Sequence, residues 1–158
     1  MPCPQCKAVT KFGVRCKNTT CRQYPYCWTH LKSIDKLQVK NSTVPNAGKG
    51  LFYVGKKKFP KGKKIVDYSA KTITNRENPN SDYVLKVGDG RYLDSKDTSN
   101  YVGRYINDGR GNNNVRFTKG SKIFTKNNRK VVPIYSTKVI KPNTELKLNY
   151  GRTYWNKR

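Results

Sequence analysis

All five cysteines and the single histidine of this chain fall between Cys3 and His30, and everything after His30 contains neither. A segment of about thirty residues buries too little apolar surface to hold itself together, so cross-links must supply most of its stability. The remainder has to fold by burial alone. Cys3-Pro4-Gln5-Cys6 and Cys27-Trp28-Thr29-His30 each place two donors on one tight turn, a spacing that suits tetrahedral zinc. An odd cysteine count, a nearby histidine and the lack of an export signal argue against a disulfide framework. Spacing alone permits Cys3, Cys6, Cys27 and His30 as ligands. The expected division is a Cys/His zinc-binding module at residues 1–33 and a second domain at residues 37–158.

The second region is punctuated throughout. Its Val, Ile, Tyr, Thr and Phe residues lie in short runs cut by Gly, Pro and Asn, so the expectation is a mostly β domain. Leu37-Gln38-Val39 begins a strand after one helical turn within residues 31–40. Further strands are expected at Leu51–Val54, Lys64–Tyr68, Tyr83–Val87, Arg91–Leu93, Val131–Tyr135 and Glu145–Leu148. Turns are expected at Pro60-Lys61-Gly62, Asn78-Pro79-Asn80, Gly88-Asp89-Gly90 and Lys141-Pro142-Asn143. Gly109 to Asn114 is irregular, and only Ser99–Tyr105 offers a later helix. No repeat and no βαβ alternation occurs, which excludes a dinucleotide-binding sheet. With no membrane-length apolar run and no secretory leader, the sequence reads as intracellular and not secreted, with no membrane partner.

Lysine and arginine number 34 against 9 acidic residues, a formal charge of +25. Such an excess is no requirement of folding, because like charges repel in a compact state. It favours polyanions: DNA, RNA or a nucleoprotein surface. The basic residues are spread along the chain, densest at Lys56-Lys57-Lys58 and Lys61 to Lys64, which suits general adhesion to phosphates more than base reading.

Three polar–aromatic segments follow one another in the second region. The first is Ala47-Gly48-Lys49-Gly50-Leu51-Phe52. The second is Arg104-Tyr105-Ile106-Asn107-Asp108-Gly109 with Asn112-Asn113-Asn114. The third is Ile140-Lys141-Pro142-Asn143-Thr144-Glu145-Leu146-Lys147-Leu148-Asn149-Tyr150-Gly151. In this order they resemble the SET-domain protein lysine methyltransferases, and in their economy the minimal SET proteins of large DNA viruses. The resemblance implies a SET-domain fold: several small sheets around a pseudoknot-like threaded C-terminal segment. It implies S-adenosylmethionine as cofactor, held by Gly48, Lys49, Gly50, Leu51, Arg104, Asn107, Asp108, Tyr150 and Trp155. Tyr150 aligns with the catalytic tyrosine, and Tyr83, Tyr105 and Tyr154 are the candidate walls of a lysine channel, with Tyr68 in support. Asp108 stands where the family usually has histidine, and Asn143 replaces a turn glycine, a position that tolerates positive φ. The N-terminal segment resembles short Cys/His modules of large DNA-virus proteins. That resemblance implies Cys6, Cys16, Cys27 and His30 as ligands of a structural zinc, with Cys3 and Cys21 as alternates.

The chemistry explains these residue types. Methyl transfer from a sulfonium to an amine is an in-line displacement that needs a neutral amine, whereas free lysine titrates near about 10.4. A narrow channel beside a positive sulfur lowers that value. Aromatic walls hold the lysine stem, and a tyrosine hydroxyl orients the amine, so positioning does most of the catalysis. The expected substrate is a lysine of a histone or of a viral DNA-associated basic protein, with non-specific contact to DNA or nucleosomes. The expected location is the host nucleus, a viral factory or the virion. Homodimerisation is left open. The alternative is a catalytically inactive SET-like basic protein that binds nucleic acid.

Overall fold

The computed structural model describes residues 4–20, 25–69, 71–73, 84–86, 92–94, 102–118, 122–126 and 129–151. The chain opens with a hairpin. Cys6 N–H donates to the Asn18 carbonyl and Cys16 N–H to the Ala8 carbonyl, each at 2.8 Å, and the turn passes through Gly13 at φ +74°. A three-residue helix, α1 (Trp28–His30), runs on into a wider helical turn at Leu31–Asp35. Lys36, left-handed at φ 58°, stops that turn and starts the first strand.

Twelve short strands follow among the described residues. β1 (Leu37–Asn41), β2 (Lys49–Tyr53) and β11 (Thr144–Glu145) make one antiparallel sheet with β2 central. β3 (Lys64–Ser69), β10 (Arg129–Ser136) and β8 (Val115–Phe117) make a second, and β9 (Phe124–Lys126) pairs with β10. β4 (Lys71–Ile73), β6 (Tyr92–Asp94) and β5 (Val84–Lys86) form a third. β7 (Asn107–Asp108) and β12 (Lys147–Leu148) pair in parallel. The mostly β expectation holds. Apolar side chains from the first two sheets and the connecting segments meet in one core, including Leu37, Leu51, Val66, Val132, Ile134, Ile140, Leu146 and Leu148.

Two expectations change on inspection. Glu145–Leu148 is not one strand: Leu146 is fully buried and gives its N–H to the Leu51 carbonyl at 2.8 Å, after which the chain leaves β2 for β7. One short segment thus stitches two sheets together and lies beside the 109–114 loop, where Gly109 N–H donates to the Leu148 carbonyl at 2.8 Å and Asn114 N–H to the Lys147 carbonyl at 3.0 Å. The described part of Ser99–Tyr105 is a single 3-10 turn, Val102–Tyr105. Asn143 does take positive φ, at 58°, and Gly62 turns at φ 77°. The expected turns at residues 78–80 and 88–90 lie outside the described residues.

Candidate functional site

Three distant stretches meet around one carboxylate. Glu145 is 4% exposed at the end of β11, where register against β2 places it opposite Phe52. A buried carboxylate must be hydrogen-bonded to stay ionised. Ser42 Oγ donates to Oε1 at 2.5 Å, while Thr43 N–H at 2.7 Å and its Oγ1 at 2.5 Å donate to Oε2. The Asn107 amide donates to Oε1 at 3.3 Å. Burial opposes ionisation here, but the donors from Ser42, Thr43 and Asn107 outweigh it and hold the carboxyl below the ordinary glutamate range.

The same network shapes the glycine turn. Gly48 sits at φ +68°, and none of the described residues comes within 4 Å of where its side chain would stand, so that side of the turn is open among them. Gly50 is glycine for another reason: a Cβ there would collide with the Glu145 carboxylate. Asn107 Nδ2 donates to the Lys49 carbonyl at 2.9 Å and to Ser42 Oγ at 3.1 Å, tying the second stretch to the first. Lys49 itself reaches back to Asn41 Oδ1 at 2.8 Å, and Leu51 is fully buried beneath the turn.

Tyr150 completes the arrangement. Its hydroxyl donates to the Ile106 carbonyl at 2.6 Å, one residue before Asn107. Its N–H lies 3.5 Å from Asp108 Oδ1, which also accepts the Arg110 N–H at 3.1 Å. Asp108 is thus a buried acceptor that ties the loop after β7 to the chain leading into Tyr150. Asn114 works as a piece of artificial strand. Its Nδ2 donates to the Glu145 carbonyl and its Oδ1 accepts the Lys147 N–H, both at 2.8 Å, bridging the position where Leu146 turns into the core.

Among the other candidates, Tyr105 packs partly buried against the core with the Arg104 guanidinium 5.5 Å from its ring centre. Tyr68 is a core residue, buried edge-on against Phe117. Tyr83, Tyr154 and Trp155 lie outside the described residues. Sequence reading missed Ser42 and Thr43. A Ser-Thr pair before Val44-Pro45 carries only a turn signal, and nothing local connects it with a carboxylate more than a hundred residues away.

A second cluster lies in the N-terminal hairpin. One donor atom each from Cys6, Cys16, Cys27 and His30 fall within 4.8 Å of one another. His30 Nδ1 is 3.3 Å from Cys27 Sγ and 3.6 Å from Cys6 Sγ. These separations suit donors sharing one tetrahedral ion at metal distances of about 2.0–2.3 Å. Burial raises the Cys27 pKa, but the His30 backbone, the Asn18 amide and the neighbouring His30 and Cys6 side chains bring it down to about 6. The Asn18 backbone favours the Cys16 thiolate, but burial and the adjacent Cys27 and Cys6 raise that thiol overall. Cys27 N–H donates to Cys6 Sγ at 3.3 Å, the kind of outer contact that orients a thiolate ligand. Of the two ligand sets that sequence left open, this one includes Cys16. Cys3 and Cys21 lie outside the described residues.

Residues 48–151 match the SET domain family. That span runs from the glycine turn to the residue after Tyr150. Among solved structures, the polycomb repressive complex 2 of Chaetomium thermophilum is similar at 23% identity and a TM-score of 0.55, over 73% of this chain and 15% of that one. A humanized mutant of the same complex, bound to an inhibitor, is similar at 21% identity and a TM-score of 0.56, over 74% of this chain and 15% of that one. The chain corresponds to only a small part of those proteins, and the likeness is one of fold. A search of curated proteins found no match.

Proposed function

The chain belongs to the SET-domain family, whose members are generally protein lysine methyltransferases using S-adenosylmethionine, and we propose that it methylates lysines of histones or other DNA-associated basic proteins. The observation that carries this reading is the convergence of Lys49, Asn107 and Tyr150 on one site. The residues present fit the cofactor. Gly48 leaves the side where a Cβ would stand open, and Asn107 beside it, its amide NH₂ already given to Lys49, Ser42 and Glu145, has its Oδ1 to accept from an ammonium group. An ionised Glu145 in the same cluster favours a nearby positive charge.

The bound cofactor would supply an activated methyl group. The rest is positioning by this chain. Gly48 to Gly50 and Asn107 would hold the amino-acid end. Because the Tyr150 hydroxyl gives its proton to the Ile106 carbonyl, its oxygen is directed to accept an N–H of the incoming amine. That contact would aim the amine lone pair without removing a proton, so the neutral amine would have to arise by desolvation as the lysine enters the site.

The test is transfer of radiolabelled methyl groups from S-adenosylmethionine to nucleosomes and virion proteins. Tyr150→Phe is expected to cut labelling by about 10²-fold or more while cofactor binding persists. Equal labelling by both proteins removes Tyr150 from the mechanism. A chain of charge +25 repels a free histone tail, so DNA-bearing substrates should be labelled better than peptide at physiological salt.

A second reading is favoured by Asp108, which stands where the family usually has histidine and is buried as a backbone acceptor. It makes the protein an inactive SET-like nucleic-acid binder of the host nucleus, viral factory or virion. No heat of S-adenosylmethionine binding, together with steeply salt-dependent DNA binding, would favour it. Under either reading, Cys6, Cys16, Cys27 and His30 would hold a zinc ion, and four protein donors would suit it to a structural role.

A further inference from the structure

We infer that a basic cleft between the Cys/His module and β2 is a binding site for the phosphates of a nucleic-acid backbone. The cleft encloses about 680 Å³ and is separate from the glycine turn. It sits at the Tyr53 end of β2, whereas the turn lies at the Lys49 end, about 13 Å away at strand rise. Lys32 and Lys36 come from the helical turn after His30, and Lys56 and Lys57 from the loop after β2. Thr29 and Ser33 add hydroxyls, and among the described residues no carboxylate lines the space. Asp35, the acidic residue on the same helical turn, is half-buried and does not line the cleft.

The walls are fixed before any ligand arrives. The Val54 N–H donates to the Lys36 carbonyl at 2.7 Å, joining the helical turn to the exit of β2. The Tyr53 hydroxyl donates to the Lys57 carbonyl at 2.7 Å, which sets the loop carrying Lys56 and Lys57. A Cβ at Gly55 would overlap the Tyr53 ring, so glycine lets the loop pass close to that ring, and both residues line the cleft. Lys36 gives a hydrogen bond to the Ser33 carbonyl, while all four ammonium-bearing residues are exposed.

The lining is mostly apolar, so the four lysines give the walls chiefly their aliphatic stems, while their charges raise the potential around the space and concentrate anions there. Their fixed backbones lower the ordering cost of a multidentate contact. Lys58, Lys61 and Lys63 follow the cleft lysines in the sequence and are exposed as well, a run of charge that suits a polymer of phosphates better than one small phosphorylated molecule. This site goes beyond methyl transfer and does not depend on it.

The experiment uses the full zinc-loaded chain without S-adenosylmethionine and measures duplex DNA affinity over a salt series. One variant combines Lys32→Gln, Lys56→Gln and Lys57→Gln. A control combines Lys11→Gln, Lys122→Gln and Lys138→Gln, exposed lysines that do not line the cleft. Each loses the same charge. At about 0.9 per phosphate contact, the slope of log affinity against log salt should fall by about 3 in the cleft variant and by less than about 1 in the control. Equal slopes in the two variants overturn the site. In the wild type, bound duplex should shield Lys32, Lys56 and Lys57 from acetylation, and full reactivity of all three overturns it independently of any variant. A separate arm titrates tripolyphosphate. If that anion protects these lysines and duplex DNA does not, the cleft serves a small phosphate compound and the assignment to a nucleic-acid backbone is wrong.

Discussion

The N-terminal hairpin and the β body place their side chains in opposite ways. In the N-terminal region Cys6, Ala8, Cys16 and Cys27 form the buried cluster, while Val9, Phe12 and Val14 are 62%, 79% and 55% exposed. Thiols are buried and most of the larger apolar groups of the hairpin are exposed. In the body the order is the ordinary one, with Leu37, Leu51, Val132, Ile134 and Leu146 completely buried. A short segment can afford this inversion only if something other than apolar burial closes it, and four converging donors offer that means. The regions are nevertheless coupled. Leu31, next to the His30 ligand candidate, is 1% exposed within the body's core.

Removing metal is the harshest way to break the comparison. Structural zinc is worth roughly 10–16 kcal/mol in peptides of this kind. Chelation should therefore abolish backbone amide protection in the 5–19 hairpin, with one zinc released per chain and the amides of β2, β3 and β10 still protected. A hairpin that keeps its protection without metal would place the two regions on the same footing. The converse perturbation is Leu146→Ala. It empties a fully buried position where the threaded segment crosses between sheets, so a loss of about 2–5 kcal/mol is expected in denaturant unfolding of the body. Zinc stoichiometry should stay unchanged, and loss of metal from this variant would show that the hairpin leans on the body.

Sequence exposed the two regions unequally. The C-x-x-C and C-x-x-H spacings offered Cys3, Cys6, Cys27 and His30, because two donors on one turn are a local property; Cys6, Cys27 and His30 meet in the cluster, and Cys3 lies outside the described residues. The third thiol was not local: Cys16 reaches the cluster because the hairpin pairs Cys6 with Asn18 and Ala8 with Cys16. In the body, punctuated strand runs gave the β class and most strand centres. They could not reveal that Leu146 interrupts a strand, since burial of one leucine and a change of partner sheet leave no periodic trace. Asn143 was legible, as asparagine is one of the few residues at ease with positive φ. Gly50 was legible as a glycine, but its collision partner Glu145 was not. The lysines of the cleft read only as charge density, because their meeting depends on how the helical turn after His30 packs against the exit of β2.

Glu145→Gln sharpens the comparison with a smaller effect, since it weakens the body's polar centre without touching the metal donors. The substitution keeps shape but puts an amide NH₂ among groups that all donate: Ser42, Thr43 and Asn107. One or more of those donors loses its acceptor, at a cost of about 1–3 kcal/mol near neutral pH. The pH dependence carries the diagnostic. The folded carboxyl titrates below its ordinary value, so its contribution is complete above the ordinary glutamate range and is lost as pH falls through the folded value. The wild-type body should therefore weaken through that acidic window, while Glu145→Gln starts lower and lacks this component. Acid also releases metal by protonating the ligands, but that loss belongs to the hairpin and should follow the same course in both proteins. Zinc release followed with a chromogenic chelator, alongside body unfolding followed by near-ultraviolet circular dichroism, separates the two responses. If the substitution shifted zinc release as much as body unfolding, acid sensitivity would be a property of the whole chain and the division between donor-closed hairpin and burial-closed body would fail.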